Sequence, residues 1–349
     1  MPLGTRVTMR RVIPVLAVAL CSFAAACNVG APKPPDPTPT LYKPANLLTP
    51  RPVLPATPTV VATSTQLGAG QTPQAVPTGT PAPSPTPALR GTAVSASEPL
   101  QGYLLDDRVT SPIVGESLPY RVYLPPDYLH TPQKQYPVLY MLHGAGGNYT
   151  EWTDSYLPEQ ADRMIVAGEI PPLIIVMPDD GGQTYWANWS EGGPRWGDYL
   201  AQDVVQTVDT RYRTLRSAAS RGIGGLSMGG LGALNQGFQH PDVFGVVGAH
   251  SPSVRLEPDP ALWFMVGQTF WDNNPIWLAQ HQPGLDSLKI WLDAGTEDVW
   301  LPNIEAVHTA LTSEGLHVDW HVFPGPHEAE YWIEHVPDYL HFYGAALRT

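Results

Sequence analysis

Hydrophobic and polar residues alternate in two different ways along this chain. From Tyr120 onward, short apolar runs are separated by longer amphipathic ones, as when strands and helices take turns in βαβ units around a mostly parallel sheet. The pattern predicts strands at Tyr120 to Leu124, Val138 to Leu142, Leu173 to Met177, Gly222 to Gly224, Gly245 to Ala249, Lys289 to Leu292 and Val318 to Phe323. Helices are expected at Asp154 to Ala167, Gly197 to Tyr212, Met228 to Gln239, Asn303 to Glu314 and Ala329 to Tyr343. In the second of these, Leu200, Val204, Val205 and Val208 form an apolar stripe at helical spacing, with Asp198 in the first turn. Between Pro252 and Pro283 the pattern breaks into an irregular, Trp-rich insertion (Trp263, Phe264, Phe270, Trp271, Trp277), expected to lie over the sheet as a partial lid. No internal repeat is visible.

The N-terminal part reads otherwise. Arg6, Arg10 and Arg11 precede a mostly apolar run of fifteen residues, Val12 to Ala26, the layout of a secretory signal and too short to span a bilayer as a helix. The run ends Phe23-Ala24-Ala25-Ala26-Cys27, which resembles a bacterial lipobox with Ala24 where Leu is usual. Residues 1–27 are therefore expected to be a signal of lipoprotein type, with Cys27 lipidated and the protein held on the outer face of the cell membrane. Residues 28–97 are rich in Pro, Thr, Ala and Ser. Sixteen of the 40 prolines lie between Ala31 and Ser97, where Tyr42 is the one aromatic residue, so the stretch cannot build a core and reads as an extended tether. Residues 98–349 carry almost all the Trp, Tyr and Phe and are expected to form one folded domain.

Charge and cysteine content narrow what that domain does. The whole chain has net charge -13, yet residues 98–349 hold 12 basic against 31 acidic residues, net -19, which disfavours binding to a phosphate backbone. Both cysteines, Cys21 and Cys27, precede the domain, which leaves it without a disulfide or a thiol nucleophile.

Candidate chemistry begins at Gly225-Leu226-Ser227-Met228-Gly229, a G-x-S-x-G between a predicted strand and a predicted helix. That context matters, because the sharp turn needs small residues on both sides to lift the Ser227 hydroxyl above the sheet. At these residues the chain resembles the putative-esterase family of α/β-hydrolases, which groups esterase D type enzymes, feruloyl and acetyl-xylan esterase modules and mycolyltransferases. The resemblance runs from about Pro112 to Tyr343 through Tyr120 to Tyr128 (YRVYLPPDY), Pro137 to Gly144 (PVLYMLHG), Met177-Pro178-Asp179, Asp209 to Thr214 (DTRYRT), Gly225 to Gly230 (GLSMGG) and Gly295-Thr296-Glu297-Asp298. It implies an α/β-hydrolase fold, with Ser227 as nucleophile.

Such a serine needs a base, and in this fold the order along the chain is Ser, acid, His. His327, in Pro324-Gly325-Pro326-His327 after the last predicted strand, resembles the family's base. His317, His321, His335 and His341 read as structural or exposed, and His327-Glu328-Ala329-Glu330 does not match the zinc motif H-E-x-x-H, so no metal site is expected. Asp293, Glu297 and Asp298 could each be the acid. The family pattern D-x-G-x-x-D falls on Asp293, Gly295 and Asp298 and implies Asp298, with Asp293 bonding loop amides at its strand end. The oxyanion donors implied are the amides of Met228 and, in His143-Gly144-Ala145-Gly146-Gly147, of Ala145, with His143 as loop scaffold. Trp152, Tyr185, Trp186 and Trp189 are expected near the mouth, where aromatic rings could stack on sugar or acyl groups.

The expected activity is a serine carboxylic-ester hydrolase acting on a small-molecule or carbohydrate ester, without a cofactor or a nucleic-acid partner, and touching a membrane only through the lipid anchor. Two alternatives stay open: an acyltransferase with the same triad, and a surface binding module that has lost catalysis.

Overall fold

A computed structural model describes residues 92–93 and 99–349. The signal, nearly all of the tether, and Cys27 lie outside the described residues.

The strands are β1 (Thr92–Ala93), β2 (Tyr103–Thr110), β3 (Ser117–Leu124), β4 (Val138–Leu142), β5 (Ile174–Pro178), β6 (Arg221–Leu226), β7 (Val246–His250), β8 (Lys289–Gly295) and β9 (Val318–Phe323). They form one sheet in the order β1-β2-β3-β5-β4-β6-β7-β8-β9. The β1–β2, β2–β3 and β3–β5 pairs are antiparallel, and every pairing from β5 through β4 to β9 is parallel. Each predicted strand is present. β2 is an addition, because Asp106-Asp107-Arg108 obscures its alternation. It is held instead by an eight-residue antiparallel register with β3, closed by a turn in which the Ser111 amide donates to the Glu116 carbonyl at 2.8 Å.

The helices are α1 (Glu151–Asp154), α2 (Leu157–Ala167), α3 (Trp196–Asp198), α4 (Val205–Arg211), α5 (Met228–Gln239), α6 (Gln268–Asp272), α7 (Pro275–His281), α8 (Leu301–Ser313) and α9 (Ala329–Ala346). Two predicted helices are broken. Tyr156, in the left-handed region at φ 59°, separates α1 from α2, and a π-helical stretch, Tyr199–Val204, lies between α3 and α4. Among the described residues no helix is long and apolar enough to cross a membrane.

The central strands are buried on both faces, which explains their continuous apolar runs. Successive side chains of β4 go to opposite sides. Val138, Tyr140 and Leu142 join a cluster with Val204 and Val208, Leu231 and Leu234 of α5, and Val307 and Leu311 of α8. Leu139 and Met141 join a second cluster with Ala161 and Met164 of α2 and Tyr339, Leu340 and Tyr343 of α9. Gly224 lets α9 sit tight on the sheet, since a Cβ there would stand 1.9 Å from the Tyr343 hydroxyl. At their C-terminal ends β6, β7, β8 and β9 bring side by side the loops that carry Ser227, Ser251, Asp298 and His327.

Candidate active site

Ser227 is the single residue between β6 and α5, and its backbone is strained at φ 53°, ψ -114°. The turn is held from both sides: the Ser227 amide donates to the His250 carbonyl at 3.0 Å, and the Ser227 carbonyl accepts from the Ser253 amide at 3.0 Å. The flanking glycines are steric requirements of this turn. A Cβ on Gly225 would meet the Gly229 backbone at 2.5 Å, and one on Gly229 would meet the Leu142 carbonyl oxygen at 2.4 Å.

His327, on the loop after β9, presents Nε2 to the Ser227 Oγ at 2.8 Å and Nδ1 to Asp298 Oδ2 at 2.9 Å. A proton on Nδ1 satisfies the carboxylate and leaves Nε2 free to accept from the serine. The Asp298 side chain is wholly enclosed and that of His327 is 19% exposed, so the relay is dry beneath and open at the hydroxyl. Asp298 Oδ1 accepts the Trp300 amide at 2.7 Å, and Oδ2 also accepts the Ser251 hydroxyl. Burial pushes the Asp298 carboxyl up, but the bonds from His327, Ser251 and the Trp300 amide outweigh burial and hold it below the ordinary carboxylate range. Glu297 is exposed, and its Oε1 accepts only from its neighbour Thr296 at 3.1 Å.

Asp293 does not bond loop amides as expected. Its carboxylate lies wholly inside and accepts His250 Nδ1 at 2.9 Å, Trp291 Nε1 at 2.6 Å and the Tyr331 hydroxyl at 2.8 Å, with the Tyr339 hydroxyl at 3.4 Å. Asp293 is inside β8, not at its end, and its side chain faces α9.

The two amides expected as oxyanion donors sit at a helix start and in a loop. Met228 opens α5, where the first amides lack helical acceptors. In the loop after β4 the Gly144 amide is taken by Glu151 Oε2 at 2.6 Å and the Gly147 amide by the Gly144 carbonyl at 3.1 Å, bonds that leave out the intervening Ala145 amide. Hydroxyl, imidazole, carboxylate and amides in this order are what acyl transfer requires.

The family model described as "Putative esterase" matches residues 111–343. The chain belongs to this family. An esterase of Mycobacterium tuberculosis is 28% identical over 240 residues, covering 59% of this chain and 51% of that protein, so the chain spans about half the length of the curated relatives it matches. An endo-1,4-beta-xylanase/feruloyl esterase of Xylanibacter ruminicola is 30% identical over 164 residues, covering 42% of this chain and 22% of its own. Among solved structures, a ferulic acid esterase aligns at TM-score 0.65 and 26% identity, over 71% of this chain and all of its own. An S-formylglutathione hydrolase from Agrobacterium tumefaciens aligns at TM-score 0.62 and 17% identity, over 74% of this chain and 100% of that one, and shares the fold. The sheet and its flanking helices are those of an α/β-hydrolase.

The aromatic residues of this esterase-family chain are less exposed than the sequence suggests. Trp152 is 1% exposed, with Nε1 donating to the Leu142 carbonyl at 2.9 Å, and Trp186 is fully enclosed against the His143 ring; both belong to the core and not to a mouth. A bulky ring beside a glycine-rich loop gives one sequence signal whether it plugs the loop from below or lines it from above. Tyr185 is also buried, its ring near the Arg255 guanidinium, whereas half-buried Trp189 stacks on Phe264 of the insertion at 4.7 Å. His143 is enclosed, bonded from Nδ1 to the Gly144 carbonyl at 2.9 Å, with Nε2 3.3 Å from Asp180 Oδ1.

Among the described residues one group, His143, Asp179 and Asp180, brings potential metal-ligand atoms within 4.8 Å of one another. Its carboxylates already accept the amides of Gly181, Gly182, Thr184 and Tyr149 and the Thr184 hydroxyl, so they serve the loop that follows β5. Sequence reasoning missed three residues at the site. Glu151 fixes the loop of Ala145, Trp300 supplies an amide to Asp298, and Ser251 supplies a hydroxyl. None lies in a motif, and only the approach of separate strand ends reveals them.

Proposed function

We propose that the chain is an exported serine carboxylic-ester hydrolase working through Ser227, His327 and Asp298. The observation that carries this reading is the unbroken relay from the Ser227 hydroxyl through the His327 ring to Asp298, at 2.8 and 2.9 Å. As the Ser227 Oγ attacks the ester carbonyl, its proton passes to His327 Nε2, and Asp298 stabilises the imidazolium. The carbonyl oxygen, now an anion, is held by the amides of Met228 and Ala145. Collapse breaks the bond to the alcohol, which leaves with the proton from Nε2 and an acyl group on Ser227. Water then attacks that ester, gives a proton to His327 and releases the acid, restoring the serine.

The names of the ferulic acid esterase and of the xylanase/feruloyl esterase relative support an ester carried on a carbohydrate or a small alcohol. Trp189 and the insertion, where Trp263 is 62% exposed, are the aromatic surface offered as a partial lid over such a substrate. Export rests on residues 1–27, anchoring on a lipidated Cys27, and reach on the tether of residues 28–97.

The test is a turnover panel of acetyl, butyryl, feruloyl and long-chain esters, run with wild type and Ser227→Ala, with and without an added alcohol acceptor. Free acid released by the wild type only supports the reading. A new ester that forms at the expense of free acid would make the chain an acyltransferase, and absence of turnover on every ester would make it a binding module.

A further inference from the structure

We infer that Ser251 is a positioning residue of the reaction, a fourth polar member that fixes the Asp298 carboxylate toward His327. The inference rests on the proposed roles of Ser227, His327 and Asp298.

Four observations carry it. First, the Ser251 hydroxyl donates to Asp298 Oδ2, the oxygen that also receives His327 Nδ1, and it stands 3.4 Å from that ring nitrogen. With the Trp300 amide on Oδ1, the carboxylate is gripped on both oxygens and cannot rotate away from the imidazole. Second, Ser251 is wholly buried, so its hydroxyl meets the Asp298 carboxylate away from bulk solvent. Third, its backbone lies in the left-handed region at φ 52°, like Ser227 at 53°. A non-glycine residue in that region costs on the order of 1 kcal/mol and persists where surrounding bonds enforce it. Here the Ser251 amide donates to the Asp293 carbonyl at 3.0 Å, directing the side chain toward Asp298.

Fourth, the dipeptide His250-Ser251 couples nucleophile and acid. The His250 carbonyl receives the Ser227 amide at 3.0 Å and Trp332 Nε1 at 3.3 Å, so one strand end sets both the height of the serine and the orientation of the carboxylate. The His250 ring is anchored below by Asp293 at 2.9 Å and the Tyr343 hydroxyl at 3.0 Å.

The groups around the carboxylate are the His327 ring, the Ser251 hydroxyl, the Trp300 amide, the adjacent exposed Glu297, and Tyr331 of α9. Removing the hydroxyl takes one donor from an ionised oxygen, so more of the carboxylate charge falls on His327. The imidazolium is then favoured, and the orientation of the ring is less fixed.

The experiment compares Ser251→Gly and Ser251→Ala with wild type on one soluble ester, reading kcat, KM and the pH profile of kcat/KM. Glycine accepts the positive φ without strain and keeps the test valid if the alanine variant fails to fold. The expected result is a fall of about tenfold in kcat, equivalent to about 1.4 kcal/mol, with KM unchanged and the acidic limb of the profile moved to higher pH. A Ser251→Gly enzyme whose acidic limb coincides with wild type overturns the inference, whatever its stability. Ser227→Ala run alongside separates the two layers: an inactive Ser227→Ala with an unaltered Ser251→Gly removes Ser251 only, whereas an active Ser227→Ala removes the reading beneath it.

Discussion

Replacing Asp298 by Asn tests the relay with almost no change in volume. The two oxygens of Asp298 have different partners, Oδ1 the Trp300 amide at 2.7 Å and Oδ2 both His327 Nδ1 at 2.9 Å and the Ser251 hydroxyl. An amide has one oxygen. If that oxygen keeps the Trp300 amide, the NH2 group faces His327 Nδ1, which can then only accept, and the ring proton moves to Nε2. The Ser227 hydroxyl, 2.8 Å from Nε2, loses its base. If the amide turns the other way, two N–H groups meet at Trp300 inside a buried site, at a cost of roughly 1–3 kcal/mol. The first orientation therefore prevails, and the imidazolium also loses its counter-charge. The expected loss in kcat is on the order of 10³ to 10⁴, about 4 to 5.5 kcal/mol of barrier. Turnover of a chromogenic ester should be measured beside circular dichroism and urea unfolding, with two comparison variants. Glu297→Gln should match wild type, since the Glu297 side chain is exposed and accepts from its neighbour Thr296. Asp293→Asn should lower stability by roughly 2–4 kcal/mol, because the enclosed carboxylate accepts from His250, Trp291, Tyr331 and Tyr339. A folded Asp298→Asn enzyme with near-wild-type kcat would mean that another residue serves as the acid.

Gly229→Ala should unfold at lower urea, by about 3 kcal/mol, and lose turnover, since its Cβ would stand 2.4 Å from the Leu142 carbonyl oxygen and open the turn at Ser227; wild-type activity in that variant would show that the turn is not tight. Burial lowers the affinity of His250 for a proton more than its bond to Asp293 raises it. Below the ordinary histidine value of about 6.5 the unfolded chain thus binds a proton that the folded chain refuses, and stability falls as pH drops from about 7 to about 5. His143 opposes this: burial pushes it down, but its bond and attraction to Asp180, the Gly144 carbonyl and Asp179 together raise it, and its contribution is lost as pH rises through its raised value. Urea unfolding of His250→Asn across that range should show a shallower acid loss than wild type, and an equal loss would assign the effect to other groups. For the proposed anchor, Cys27→Ala should move the protein from the membrane fraction to a soluble or unprocessed form, and fractionation finding wild type already soluble, beginning at another residue, would count against lipidation.

Much of this architecture was legible in the sequence because the central strands are doubly buried. Val138 to Leu142, buried at every position, and Val318 to Phe323, a half-exposed edge strand read from its alternation, coincide with β4 and β9. β2 was hidden because Asp106 and Asp107 pair with Arg121 and Arg211, and Arg108 bonds Ser117 at the start of β3, rather than facing a core, and long-range pairing decides its fate. At the site, Ser227, His327 and Asp298 stand in motifs whose spacing reflects their own loops, and the structure brings them together. What escaped is what depends on contact between distant elements: Ser251 beside Asp298, Glu151 beside Gly144, and the enclosed partners of Asp293. Trp152 and Trp186 illustrate the reverse, since a sequence shows that a large ring is near a loop but not on which side of it.

The central claim is that an acyl group is carried on Ser227 during turnover. Its most direct test is peptide mapping by mass spectrometry after acid quench of the enzyme in the presence of a slowly deacylating ester. One acyl adduct is expected on the peptide containing Ser227, appearing no more slowly than the first turnover and absent from Ser227→Ala. An adduct on another residue, or undiminished ester turnover by Ser227→Ala, would contradict it.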